Sequence, residues 1–184
     1  MAQKSRLATC GVVKYSIIFF MEDTKMAEID MARAYEVYYN IINHLDSINW
    51  TYDRHDDKLV ISTGSSSDDL PINFLIVVNA KNQVVQFLSQ LPFTFPEDKR
   101  IEGALAVCHV NFKLIDGSFD YDVADGKLLY RVTCSYRGSN LCDDLFDYIL
   151  YIGASTVDDY NDKFYLLSRG EIDLMEFLKR TNGN

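Results

Sequence analysis

Seven residues constrain this chain more than any others: positions 72–78 read INFLIVV. A run this short and this rich in β-branched residues is a strand. Because it shows apolar groups to both faces, it is expected at the centre of a sheet and covered on each side. Its neighbours have the same character. Residues 49–91 run NWTYD, a charged turn at His55, Asp56 and Asp57, KLVIST, a polar loop at SSSDD, the central run, a turn at Ala80, Lys81 and Asn82, and VVQFLSQL. Short turns and the absence of a helical period predict an antiparallel meander.

Helical signals flank that meander. Asp30 is placed to cap a helix on which Ala34, Tyr38, Ile41, Ile42, Leu45 and Ile48 form one stripe. Thr94, Pro96, Glu97 and Asp98 open a second helix reaching about Leu114, with Ile101, Ala104, Leu105, Cys108 and Phe112 expected on its buried side. Asp116-Gly117 leads into a hairpin. Phe119, Tyr121 and Val123 on one arm, and Leu128, Tyr130, Val132, Cys134 and Tyr136 on the other, alternate with polar neighbours across an Asp125-Gly126 turn. Ser139 or Asn140 is expected to cap a long helix with the stripe Leu141, Leu145, Tyr148, Ile149, Ile152, Thr156, Tyr160, Phe164 and Leu167. Such a helix would be on the order of 40 Å long, so it should bend near Gly153 or overhang the sheet. Gly170 ends it, and residues 171–180 form a short amphipathic helix carrying Ile172, Met175, Phe177 and Leu178.

The length of 184 residues suits one domain, and 48% hydrophobic residues provide its core. Residues 1–25 fit poorly with the pattern downstream of them and read as an N-terminal extension, in which YSIIFF (residues 15–20) could add an edge strand. Residues 26–168 make the α+β domain, and 169–184 the short helix and tail. The apolar stretch 7–20 is broken by Lys14 and too short to span a bilayer, and no clean cleavage site comes after it. Cys10, Cys108, Cys134 and Cys142 lack metal-finger spacing and suit free thiols in a reducing, cytoplasmic setting. A net charge of -9 argues against nucleic acid and anionic membranes as partners, because phosphate binding needs clustered Lys and Arg.

The order of elements, together with LPFTFPEDKR, ALAVCHVNFKLIDGSFDYDVADGKLLYRVTCSY and LCDDLFDYILYIGASTVDDYNDKF, resembles the YbjN family of bacterial sensory-transduction regulator-like proteins. Asn111, Gly117, Phe119, Asp125-Gly126, Tyr130 and Arg131 stand where the family's features are expected, and the resemblance covers about residues 30–168. It implies an α+β fold similar to the type III secretion chaperones: an antiparallel sheet with helices packed against it, in the order helix, strands, helix, strand hairpin, long helix. It also implies a homodimer that binds a partner segment, and supplies no catalytic residue.

Each candidate for chemistry has a geometric alternative. Asp120, Asp122 and Asp125 beside Gly126 look like a calcium loop, but counting from Asp120 puts Ala124 at position five, Asp125 at six and Arg131 at twelve, where a ligand, glycine and glutamate are needed. Asp158 and Asp162 lie one helical turn apart and read, with Lys163, as a solvated face. Asp143, Asp144 and Asp147 suit the positive end of a helix dipole. Cys108 and His109 are adjacent and therefore point about 100 degrees apart on a helix, a poor geometry for thiol activation. Neither GxxxxGK[ST] nor GxGxxG occurs, and Gly64 to Ser67 reads as a polar turn. No metal or cofactor is expected. Tyr35, Tyr38, Tyr39, Tyr148 and Tyr151 are the expected partner-binding residues, since tyrosine offers large contact area with a polar tip. The expected function is a non-enzymatic, chaperone-like or regulatory protein-binding module. A hydrolase or metal-dependent enzyme assembled from dispersed Asp and His groups, and a structural subunit of a larger assembly, are the alternatives.

Overall fold

Asp30 accepts a hydrogen bond at 2.9 Å from the Arg33 amide and so starts α1, Met31–Ser47. The computed structural model describes residues 29–65, 70–139 and 141–182. The inner face of α1 carries Ala34, Tyr38, Ile41, Ile42 and Leu45, as its spacing predicts, together with Val37, while Ile48 is exposed.

The meander is built from β1 (Tyr52–His55), β2 (Val60–Ser65), β3 (Ile72–Asn79) and β4 (Val84–Thr94). After α2, Arg100–Lys113, the hairpin β5 (Ser118–Asp122) and β6 (Lys127–Ser135) completes one antiparallel sheet in the order β1-β2-β3-β4-β6-β5. The apolar run therefore lies in the sheet's central pair of strands, as expected. Among the described residues its cover is one-sided, however. Ile72, Phe74, Ile76 and Val78 are buried beneath the helices, whereas Asn73 and Leu75 on the opposite face are exposed. Strand β4 extends past its predicted end because a register irregularity between Gln90 and Thr94 accommodates Pro92, which has no amide to offer a ladder.

The face expected to bury α2 is its outer face. Gly103, Ala106, Val107 and Val110 point inward, while Ile101, Leu105, Cys108 and Phe112 are exposed and Ala104 lies between. Crowding is the cause. A Cβ on Gly103 would come within 2.9 Å of both Phe95 Cδ1 and Tyr121 Oη, so only small side chains fit between this helix and the rings beneath it.

Helix α3, Asp143–Arg169, crosses the same side of the sheet without a break at Gly153. Gly153 instead lets the helix approach β4, since a Cβ there would lie 2.3 Å from Phe87 Cε1. The helix begins after Cys142 with no side-chain cap, rather than at Ser139 or Asn140; Asp143 and Asp144 in its first turn supply the favourable charge instead. Ile149, Thr156, Tyr160, Phe164 and Leu167 are buried as predicted. In the first turns Phe146 and Leu150 take the inner positions, Leu145 is half-buried and Tyr148 is exposed. Gly170, at φ 71°, ends α3, and α4, Leu174–Thr181, packs Phe177 into the core while Met175 is exposed. The expectations made for residues 1–25 lie outside the described residues.

Candidate functional site

The three histidines lie on three elements. His44 on α1 is buried, with Nε2 2.7 Å from Asp147 Oδ1 and Nδ1 3.6 Å from Asp143 Oδ1. Asp147 meets one ring nitrogen at hydrogen-bond distance while Asp143 lies nearer the other, beyond that distance, so the three groups do not share a vertex that could hold a cation. They clasp α1 to the first turns of α3. His55 is exposed on β1, 3.3 Å from the Ser62 hydroxyl. His109 on α2 has a buried Nε2 with no hydrogen-bond partner, and burial, with Lys113 adding to it, lowers its pKa. Among the described residues, no three His, Cys, Asp or Glu groups are placed to hold a metal ion.

Each aspartate of the calcium-like hairpin has its own partner. Asp120 pairs with Arg131 at 2.9 Å, Asp122 accepts the Ala124 amide at 2.8 Å, and Asp125 accepts the Lys127 amide at 3.0 Å. The Lys127 ammonium also pairs with Asp125 and holds its carboxyl below the usual range. Asp162 lies 3.2 Å from the Lys163 ammonium.

The five candidate tyrosines are not gathered in one patch. Tyr38 is fully buried and donates to Asp56 at 2.8 Å, which removes it from any partner-facing surface. Burial and that carboxylate push its phenol up to about 12. Tyr35 and Tyr39 stack on the outer side of α1, with the Arg54 guanidinium 5.6 Å above the Tyr39 ring. Tyr148 is fixed through its hydroxyl to Asp116, just before β5, and Tyr151 is exposed. Strands β1 and β5 are opposite edges of the sheet, so the Arg54 and Asp116 anchors hold two separate groups.

What the periodicities missed is the open face of the sheet. The register aligns Leu75 with Leu88, and Leu129 sits diagonally beside Leu88 on the next strand. These three leucines floor a trough of about 720 Å³ whose rim includes Asp53, Ser62, Asn73 and Gln90. A second hollow of about 410 Å³ shares Gln90 and Leu129 and extends the trough towards Asp120, Asp122 and Lys127. The signal was present in the alternation: Leu75, Leu88 and Leu129 occupy the strand phase opposite to the buried Phe74, Phe87 and Leu128.

The described residues thus form an α+β module with helices on one face of a six-stranded antiparallel sheet and a shallow, leucine-floored trough on the other. The chain belongs to the YbjN family, described as "Putative bacterial sensory transduction regulator", whose model matches residues 40–166. No curated protein and no solved structure matches the chain. No helix among the described residues is long and apolar enough to cross a membrane.

Proposed function

We propose that this chain is a non-enzymatic regulatory module, acting as a homodimer in the cytoplasm, that holds an extended segment of a partner protein on the open face of its sheet. One observation carries the reading: the leucine-floored trough that runs over β3, β4 and β6. It is long, shallow and open, which suits an extended peptide better than a compact small molecule. Alternate side chains of such a peptide would meet Leu75, Leu88 and Leu129. Asp53 on the rim and Asp122 at the far end favour a segment flanked by Lys or Arg. Tyr35 and Tyr39 on α1 and Tyr148 and Tyr151 on α3 lie on helices packed against the opposite face of the sheet, and are proposed as contacts for parts of the partner outside the trough.

The test is affinity capture of the full-length protein from its native cells, run beside Leu88→Lys and Leu129→Lys. A partner retained by the parent protein and lost from both variants, with their circular dichroism unchanged, supports the reading. A partner held equally by all three, or none held by the parent, overturns it.

A further inference from the structure

The chemistry of the trough has a match within the chain itself. Its floor is Leu75, Leu88 and Leu129, and its border carries Asp53 on the rim and Asp122 at the far end. Residues 1–20, which precede the described part of the chain, hold Lys4, Arg6 and Lys14 and no acidic residue, and they end in the apolar run from Tyr15 to Phe20. An apolar run with a lysine directly before it is the kind of segment that a leucine floor with an acidic border selects. The chain as a whole carries -9, so these cations oppose the sign of the body to which they are tethered.

We propose that residues 14–20 lie in the trough as a built-in competitor, which a partner segment must displace. This rests on the reading of the trough as a peptide site and adds the regulation of that site. Reach is the first argument. Arg33, in the first turn of α1, donates to the Ser139 carbonyl at 2.7 Å, just beyond β6, whose last residue, Ser135, pairs with Val84 at the start of β4. The chain therefore enters α1 at that end of the sheet, and Leu88 lies four residues along β4 from it, about 13 Å. Nine Cα steps separate Phe20 from Ile29, about 30 Å when extended, enough to pass round the sheet's end from the helix side and reach Leu88. Direction is the second argument. With Phe20 nearest Leu88, the six residues back to Lys14 extend about 20 Å along the trough and bring the ammonium towards Asp122. Tethering is the third. A tether this short gives an effective concentration on the order of 1 mM. A segment whose own dissociation constant is about 0.1 mM then fills the trough about nine-tenths of the time and weakens a competing peptide about tenfold.

The experiment keeps the full chain and uses as probe a fluorescein-labelled peptide of residues 4–20 carrying Cys10→Ser. Ile17 and Ile18 fall on opposite faces of an extended run, so Ile17→Ser with Ile18→Ser disables the tethered segment in either orientation and changes no charge. Fluorescence anisotropy should show the probe binding this double variant at least tenfold more tightly than the parent protein. That binding should be lost when Leu88→Gln and Leu129→Gln are added, with circular dichroism unchanged. Equal binding to the parent and the double variant, or binding to neither, overturns the proposal. So does tight binding that survives the two leucine substitutions, which would seat the segment elsewhere, the exposed outer side of α2 included. Capture from lysate separates the two readings. A partner that depends on Leu88 and is held equally by the parent and the double variant overturns the competitor and leaves the partner site standing. Probe binding as expected, with no lysate partner for either protein, overturns the partner site and leaves the competitor standing.

Discussion

Asn111 shows how one side chain manages an exposed sheet edge. Its amide nitrogen donates to the Phe119 carbonyl at 2.9 Å and its amide oxygen accepts the Phe119 amide at 2.8 Å, so α2 supplies the pair of bonds that a further strand would otherwise make to β5. Asn111→Ala leaves both backbone groups without these partners and should lower unfolding free energy by roughly 1–3 kcal/mol in urea titrations. Asn111→Asp keeps the acceptor and loses the donor, and should fall between. His109 sets a pH dependence. Its imidazole is lowered from an ordinary value of 6.5 by burial and by Lys113, so the unfolded chain takes up this proton at a higher pH than the folded one. Its effect is absent well above 6.5, destabilises the fold progressively as pH falls below that value, and levels off once pH passes the lowered folded value. Urea midpoints measured from about pH 7.5 to about pH 5 should therefore fall more steeply for the parent protein than for His109→Gln, which cannot charge. Equal slopes would mean that the imidazole is solvated in both states.

At the scale of elements, Gly153 lets α3 lie close against the ring of Phe87 on β4. Gly153→Ala gains up to about 1 kcal/mol of helix propensity but forces a methyl into a ring that already packs on Phe74 at 4.5 Å; overpacking of this kind typically costs about 1–3 kcal/mol. The net expectation is a lower melting temperature, read by calorimetry; an unchanged or raised one would show that α3 can lift without loss. Elements of this kind also show what the sequence reveals. The kind and order of the described α-helices and strands was legible, because alternation and 3.6-residue periods are local signals. The inner side of α2 was not: both sides are apolar, and the larger residues, Ile101, Leu105 and Phe112, form the outer one. The rings of Phe95, just after β4, and Tyr121, on β5, reserve the inner side for small residues. The trough was hidden for a related reason. Leu75 reads as core in a run apolar on both faces, and its exposure results from all the described helices packing on the other side of the sheet. The partner role expected of Tyr38 failed likewise, since the Asp56 that receives its hydroxyl is 18 residues away.

At the scale of the whole molecule, the net charge of -9 should make salt act in opposite directions on self-association and on partner capture. Two copies of a chain carrying this charge repel one another at long range. Shortening the Debye length from about 30 Å at 0.01 M salt to about 10 Å at 0.1 M removes most of that repulsion and leaves short-range apolar contacts intact. The dimer dissociation constant, followed by sedimentation equilibrium, should therefore fall several-fold over that range. Capture of a Lys- or Arg-flanked segment in the trough is an attraction between opposite charges, steered by the acidic rim and by the same net charge, so its dissociation constant should rise over the same range. A dimer that loosens with salt would point to ion pairs as its main contact. Partner binding that tightens with salt would instead place the partner's charges away from Asp53 and Asp122 and leave the leucine floor to account for the affinity.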